Sequence, residues 1–269
     1  MKIAVCIKQV PEREDCGMDP EQGVLVREGS MRLNPCDGYA LETALRLAGE
    51  CGETTAFTMG PPSAEAVLRD ALAMGVEKAY LVSDSAFAGA DVLATSYTLA
   101  EAIRLHGPFD AVVCGKQTTD GDTAQVGAAL AAWLGWEYLG GIKAVSLQEN
   151  GAVRVSQLRS GGVCGMETTF PFVMAVEQNI FTPRIPTLKM RLQAGKKDLE
   201  VISLKHMRDR CPEHYGLRGS PTRVVRIYSP ARKKRGSVTP MDGAAAADVL
   251  RNVIKEQWKK GGAHDNITG

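Results

Sequence analysis

The chain has 269 residues, of which 44% are hydrophobic and 23% are charged, a composition typical of one large globular domain or one domain with an appendage. Its 32 basic and 31 acidic side chains leave a formal net charge of +1. The sequence therefore lacks the basic excess that would predict nucleic acid as a partner. No run approaches the roughly 18 apolar residues that span a bilayer, and only five apolar residues follow Met1 and Lys2, too few for a signal peptide. We therefore expect a soluble, cytoplasmic protein without membrane insertion.

The first half of the sequence alternates short apolar runs with longer amphipathic ones, which is typical of β-α-β units around a parallel sheet. The expected strands cover residues 3–7, 54–58, 79–82 and 110–114, and the expected helices cover residues 37–48, 63–74, 91–105 and 123–134. The sequence thus predicts an α/β fold.

The second half of the sequence departs from this alternation. Three strand-like runs at residues 142–147, 153–158 and 172–176 are joined by turn signals, and we expect them to extend or flank the sheet with antiparallel pairing. Residues 201–269 are more polar and are expected to form an extended C-terminal arm, ending in an amphipathic helix over residues 244–258. Because such an arm has too few apolar residues for its own core, we expect it to wrap a partner subunit or the main domain.

The usual catalytic and metal-binding motifs are missing from this sequence. Its seven cysteines include no C-x-x-C pair, and its four histidines lie in no ligand spacing, so neither a disulfide framework nor a metal site is predicted. The sequence contains neither G-x-S-x-G nor G-x-G-x-x-G. Gly115-Lys116 fails as a Walker motif because Gln117 stands where a Ser or Thr would hold magnesium.

The strongest binding signal is the run from Gly115 to Gly127, GKQTTDGDTAQVG, between an expected strand and an expected helix. Ligands in open α/β sheets bind at the carboxyl ends of strands, which is where this loop lies. Glycine at positions 115 and 121 permits backbone conformations in which several N–H groups converge on an anion. The alternative is an ordinary strand-to-helix loop in which Thr123 caps the helix. Turns at residues 34–37 and 59–62 are expected at the same edge of the sheet and favour a shared adenosine pocket.

Several separated motifs, in the same order, resemble the β subunit of electron transfer flavoproteins. They are MKIAVCIKQVP, RLNPCDGYALETALRL, TMGPPSAEAVLRDALAMG, CGKQTTDGDTAQVG and TPRIPTLKMRLQAGKK, which together run from Met1 to about Glu200. The resemblance implies a Rossmann-like domain of the adenine-nucleotide-binding type over residues 1–200. It also implies an α subunit that carries its own FAD and is wrapped by the arm over residues 201–269.

The resemblance further implies the residues that bind the nucleotide. Adenine and ribose contacts fall on Cys6, Asn34, Cys36 and Met59, and phosphate contacts fall on Gly115, Asp120, Gly121, Asp122, Thr123, Ala124, Gln125 and Val126. Members that hold AMP typically have a bulkier and more acidic stretch where this chain has residues 121–126, so the present sequence looks like the form that holds a second FAD. Within residues 183–197, Leu188 would insert into an apolar pocket of a partner dehydrogenase.

This form of the family implies electron bifurcation. The β-subunit FAD would accept hydride from NADH and send one electron to ferredoxin and the other, through the α-subunit FAD, to an acyl-CoA dehydrogenase or another flavin dehydrogenase. No catalytic side chain is expected, because the cofactor supplies the chemistry. Two alternatives stay open: a non-bifurcating carrier with structural AMP, and an adenine-nucleotide sensor or ATP-cleaving enzyme on a similar sheet.

Overall fold

The computed structural model describes residues 1–12, 30–223 and 241–261. The strands in these ranges are β1 (Lys2–Cys6), β2 (Gln9–Pro11), β3 (Met31–Leu33), β4 (Glu53–Met59), β5 (Lys78–Val82), β6 (Ala111–Gly115), β7 (Glu137–Leu147), β8 (Val153–Arg159), β9 (Gly162–Thr168), β10 (Phe172–Val176) and β11 (Glu200–Ile202). The α-helices are α1 (Pro35–Ala48), α2 (Glu65–Met74), α3 (Val92–His106), α4 (Val126–Leu134), α5 (Leu188–Ala194) and α6 (Gly243–Gly261).

In the described part of the chain, nine strands form one sheet in the order β11-β5-β4-β1-β6-β10-β7-β8-β9. The pairs from β11 to β7 are parallel, and β7-β8 and β8-β9 are antiparallel. The predicted α/β fold with a mainly parallel sheet and flanking antiparallel strands is therefore confirmed. β2 and β3 form a separate antiparallel pair that the sequence pattern did not predict.

Two hydrophobic layers cover the two faces of the sheet. The layer on one face includes Leu41 of α1 and Leu68 of α2, and the layer on the other face includes Ile103 of α3 and Leu130 of α4. Alternate residues of each central strand enter opposite layers, as the pleat of a strand requires. This burial on both faces explains why the first half of the sequence reads as short, continuous apolar runs.

The expectation for residues 172–176 was wrong in its pairing. β10 is not antiparallel but lies between β6 and β7, parallel to both. All five of its side chains are buried, which is the burial expected of a central strand with helices on both faces. β9 was also missed, since glycines and exposed side chains give it no clear alternation of apolar and polar residues.

The second and fourth helices begin later than the sequence predicted. Residues Pro62–Ala64 form a short 3-10 turn, so α2 starts at Glu65 instead of residue 63. α4 starts at Val126 instead of residue 123, and Thr123 is not its N-cap. Both differences lengthen the loops that follow β4 and β6 at the carboxyl edge of the sheet.

The chain separates into two units, residues 1–227 and residues 228–269. In the first unit, β11 extends the sheet and Tyr215 is fully buried, so this unit continues beyond residue 200, where the arm was expected to begin. In the second unit, α6 covers the predicted terminal helix, and its described part has five exposed large apolar side chains: Val249, Leu250, Val253, Ile254 and Trp258. Residues 224–240, in the middle of the expected arm, lie outside the described ranges. None of the described helices combines the length and the apolar character needed to cross a membrane.

Candidate functional site

The strand order creates a switch point between β1 and β6. The chain leaves β1 toward α1 on one face of the sheet, and it enters β6 from α3 on the other face. Cys6, at the end of β1, is in register with Cys114 of β6. Ligands in open α/β sheets bind outside the strand ends at such a point. The predicted loop after Gly115 therefore starts where this fold binds ligands.

Direct contacts join the loop that follows β6 to the beginning of α1. The side-chain amide of Asn34 donates to Gln117 O at 2.9 Å, and its Oδ1 accepts from Thr119 N–H at 3.3 Å. Gly115 lies so close to α1 that a Cβ atom there would be 2.9 Å from Cys36 Cβ. The structure thus brings Asn34, Cys36 and Gly115 together, and Asn34 holds the loop in place.

Apolar contacts complete the floor of this site. Cys6 and Cys114 belong to the buried cluster on the α3 and α4 face, and the partly buried Met59 and Val126 pack against it. The hydrogen bond with Cys114 and burial raise the pKa of the Cys6 thiol well above its ordinary value. Cys6 is therefore a neutral, apolar surface at neutral pH and not a nucleophile.

The backbone of residues 121–125 has the geometry of an anion-binding loop. Asp122 and Ala124 have positive φ angles of 50° and 53°, and Gln125, the next residue, is right-handed with φ −112° and ψ −20°. A left-handed residue beside a right-handed one turns successive N–H groups toward the same point. All five residues are exposed. The N–H groups of Gly121 and Asp122 donate to Thr118, so a ligand would reach the N–H groups that follow them in the loop.

The first turn of α4 adds further donors to this loop. Ala129 N–H, which bonds to Gln125 O at 3.0 Å, is the first donor within the helix, so the N–H groups of Val126, Gly127 and Ala128 have no acceptor within the helix. Gln125 makes no side-chain capping bond to them. The structure therefore rules out the alternative in which Thr123 caps the helix, and it leaves these donors directed toward the exposed loop.

Two charged residues that sequence reasoning did not assign to the site, Lys8 and Asp37, hold its loops together. Lys8 Nζ lies 2.8 Å from Asp120 Oδ1, which links the end of β1 to the loop after β6. This ammonium group compensates the Asp120 carboxylate, which would otherwise repel a phosphate placed beside the loop. Lys8 had no signal in the sequence beyond its place just after a buried strand.

Asp37 is almost completely buried at the beginning of α1. Its Oδ2 accepts from Lys8 N–H at 2.7 Å, and Gly115 N–H also donates to this carboxylate. Burial raises the pKa of Asp37 to about 7, against the opposing effect of its hydrogen bonds with Asn34, Lys8 and Gly115. Asp37 therefore joins β1, α1 and β6 beneath the loop. In the sequence it was only the last residue of a predicted turn and the first residue of a predicted helix.

Comparison with known proteins agrees with this geometry. A family model described as "Electron transfer flavoprotein domain" matches residues 22–207, a range that contains the whole loop after β6. The chain belongs to the electron transfer flavoprotein family. The family resemblance that the sequence motifs indicated is thereby confirmed.

The curated relatives align with nearly the whole electron transfer flavoprotein chain. Protein FixA of Azorhizobium caulinodans is 38% identical, with 96% of each chain covered. Electron transfer flavoprotein subunit beta of Megasphaera elsdenii is 36% identical, over 95% of this chain and 97% of the relative. A protein of Acetobacterium woodii named caffeyl-CoA reductase-Etf complex subunit CarD is 35% identical, over 97% of this chain and 99% of the relative. These matches confirm the likeness to β subunits.

The segment predicted to bind a dehydrogenase lies away from the nucleotide loop in the sequence and contains a short helix. We call residues 183–197 the docking segment. Leu188 is the first residue of α5 and is 74% exposed. Thr187 Oγ1 caps the helix by accepting from Met190 N–H at 3.3 Å. The segment is thus partly helical, and Leu188 lies at the exposed start of its helix.

Proposed function

We propose that this electron transfer flavoprotein chain is the β subunit of a heterodimer and binds FAD at the loop that follows β6. Cys6, Asn34, Cys36 and Met59 would border the adenosine, and Gly115 with residues 120–126 would border the diphosphate. The observation that carries this proposal is the exposed backbone turn at Ala124 and Gln125, which adjoins the free N–H groups of α4. Hydrogen bonds to charged oxygens contribute about 1.5–3 kcal/mol each, so a few backbone donors are sufficient to fix a diphosphate.

Small side chains support FAD in preference to AMP. A Cβ atom at Gly121 would meet only Thr118 Oγ1 at 3.5 Å, an ordinary contact, and residues 121–125 are all exposed. A second phosphate and the rest of a dinucleotide therefore have space outside the loop. Asp120 directly precedes residues 121–125, and the ammonium group of Lys8 compensates the negative charge of its carboxylate.

In this proposal the protein contributes placement and electrostatics. When bound, FAD would supply the acceptance of hydride from NADH and the separate release of two electrons. The backbone of residues 123–128 would orient the cofactor, and Asn34, Asp37 and Lys8 keep the loop in place. One electron would pass to ferredoxin and the other through an α-subunit FAD to a flavin dehydrogenase of the acyl-CoA dehydrogenase type.

Two surfaces suit the protein partners that this function needs. The apolar side of α6 suits the α subunit, which the C-terminal arm would wrap. Leu188 would contact the dehydrogenase, and burying one such side chain contributes about 1.5–3 kcal/mol, which suits a transient complex. We place the heterodimer in the cytoplasm, where NADH is available. The name of the Acetobacterium woodii relative, which joins a reductase to an electron transfer flavoprotein, supports such an assembly.

Counting the bound nucleotides tests the proposal. The chain is purified together with its α subunit, the cofactors are released by denaturation, and FAD and AMP are quantified by chromatography. We expect two FAD and no AMP per heterodimer. One FAD and one AMP would contradict bifurcation and leave a simple carrier, and a colourless protein that hydrolyses ATP would contradict the flavoprotein assignment.

The substitution Thr123→Asp tests the position of the diphosphate. A carboxylate at this exposed loop residue would face the phosphates, and we expect FAD affinity at the β site to fall about 10- to 100-fold. FAD content should drop from two per heterodimer toward one, with the α-subunit FAD retained. The matched control is Thr169→Asp, which adds the same charge at an exposed position before β10 and should leave FAD content at two. Equal FAD content in both variants would mean that the phosphates bind elsewhere.

A further inference from the structure

The docking segment is fixed to the protein at both of its ends. Its first residues contact α1 through an ion pair, and its last residues contact α2 through hydrogen bonds to backbone carbonyls. Between these contacts the chain turns three apolar side chains toward solvent. Ile185, Leu188 and Leu192 are 88%, 74% and 62% exposed.

The first contact depends on a buried carboxylate. Glu42, in α1, has a side chain that is only 3% exposed, and Arg184 bonds to it through three groups. Arg184 N–H and Nη2 donate at 3.2 Å, and Nε donates at 2.8 Å. Arg46 Nε donates to the same carboxylate at 2.8 Å. These hydrogen bonds from Arg184 and Arg46 outweigh the effect of burial and lower the pKa of Glu42, so the carboxylate is ionised at neutral pH.

The second contact lies on α2. Arg69 Nη1 donates to Ala194 O at 2.8 Å and also contacts Lys197 O. Lys197 Nζ donates to Val76 O at 3.2 Å, just after α2 ends. Arg191, inside α5, lies 3.5 Å from Asp70. The carboxyl end of α5 is therefore held by α2, independently of Glu42.

A helix as short as α5 depends on such contacts. It has seven residues, whereas isolated helices shorter than about 12 residues are marginal in water. A segment that is ordered before binding avoids the entropic cost of being ordered during binding. The contact with Glu42 therefore determines how the apolar residues are presented, although it touches none of them.

From this geometry we infer that Glu42 and Arg184 are positioning residues, which hold the docking segment in the conformation that presents Leu188 to its partner. The inference rests on the proposed function, because it takes Leu188 as the residue that contacts a dehydrogenase. Glu42 itself is almost completely buried, so its side chain is not available to the partner. Arg184→Gln removes both guanidinium bonds from the segment to Glu42, which keeps Arg46 as its partner, so the substitution should release the start of the segment.

Arg46 offers a matched control for Arg184. Both guanidinium groups bond to Glu42 at 2.8 Å through Nε, and they are about equally exposed, at 53% for Arg46 and 43% for Arg184. Only Arg184 belongs to the docking segment, whereas Arg46 lies in α1 beside Glu42 and stacks on Phe181 at 4.7 Å. Arg46→Gln and Arg184→Gln thus remove the same kind of partner from Glu42, but only the second substitution frees the segment.

The test is hydrogen–deuterium exchange on the purified heterodimer. Arg184→Gln should raise the exchange rates of backbone amides in residues 188–195 at least about tenfold, and Arg46→Gln should leave them within twofold of the unsubstituted protein. FAD content and exchange in β1 and β6 should be unchanged in both variants. Unchanged exchange in Arg184→Gln, or equal increases in both variants, would overturn the inference.

Steady-state kinetics separate a positioning role from a purely structural one, because a positioning role predicts a change in the KM for the dehydrogenase with little change in kcat. With NADH as donor, and with saturating ferredoxin and a purified acyl-CoA dehydrogenase as the two electron acceptors, Arg184→Gln should raise the KM for the dehydrogenase about 3- to 10-fold and leave kcat within twofold. Leu188→Ala should raise the same KM while its amide exchange stays protected. A fall in kcat with an unchanged KM in Arg184→Gln would overturn the inference. If the unsubstituted heterodimer does not reduce the dehydrogenase, the proposed function fails, and amide exchange still decides the role of Arg184.

Discussion

Replacing Gly115 with alanine should lower the free energy of unfolding by about 3 kcal/mol or more. A Cβ atom at this position would lie 2.8 Å from the backbone carbon of Cys36 and 2.9 Å from its Cβ, and it would press against Asp37 Oδ1. Overpacking usually costs about 1–3 kcal/mol, and here the neighbours are helix backbone and a buried carboxylate, which have little room to move. For a protein of this size we expect the melting temperature to fall by about 6–12 °C.

Gly121→Ala is the matched control for this experiment. Gly121 lies in the same loop, but an added Cβ atom would meet only the Thr118 hydroxyl at 3.5 Å, and its φ angle is not positive. Urea unfolding followed by circular dichroism should show a change within about 0.5 kcal/mol for this variant. If the two alanine variants were equally stable, the close approach between β6 and α1 would not exist in solution.

The buried Asp37 carboxyl should make stability fall as the pH rises from about 4 to about 7. Its pKa of about 7 in the folded protein exceeds the ordinary value of 3.8, so within this range the folded state binds a proton that the unfolded state has lost. The difference corresponds to about 4 kcal/mol, and above pH 7 this contribution is constant. The groups that face Asp37 are the Lys8 ammonium and the Cys6 thiol, of which only Lys8 is charged in this range.

Asp37→Asn removes this proton-binding group while keeping its shape. Urea unfolding of the variant and the unsubstituted protein at pH 5, 6, 7 and 8 should give a difference in unfolding free energy that shifts in favour of the variant as the pH rises. The same difference at all four pH values would contradict a raised pKa for Asp37.

Asp84→Asn is a control at a carboxyl group whose pKa is lowered instead of raised. Hydrogen bonds from Ala86 N–H and Leu204 N–H lower the pKa of Asp84 below 3.8. Its stabilising effect is therefore present above about pH 4, is lost as the pH falls further, and is constant between pH 5 and 8. The difference between this variant and the unsubstituted protein should not change with pH in that range.

Local sequence patterns located most elements of the sheet but not all of their partners. The first predicted strand, residues 3–7, differs from β1 by one residue at each end, and the predicted helix 37–48 lies inside α1. Apolar periodicity and turn residues are local properties, and they are sufficient for such elements. The pairing of β10 depends on which strands lie beside it in space, and the run of residues 172–176 contains no information on that.

In the loop after β6, too, local sequence patterns predicted some features and tertiary contacts decided the others. Its glycines, its threonines and its place after a strand are local features, and they are sufficient to predict a candidate anion site. The late start of α4 and the left-handed Asp122 and Ala124 were not expected, because neither residue is a glycine. Tertiary contacts from Asn34 and Lys8 fix the loop, and such contacts are invisible in a local pattern.

The sequence by itself determined the family, the α/β class and the loop that we assign to the nucleotide, because motifs in a fixed order and apolar periodicity can be recognised without knowledge of contacts. Only the tertiary structure showed that Asp37 joins three elements beneath that loop, and that Glu42 holds Arg184 across a separation of 142 residues. Both carboxylates lie in α1. Acidic residues are usually exposed, and the roles of these two come from their burial. Burial depends on what packs against a residue, which folding decides.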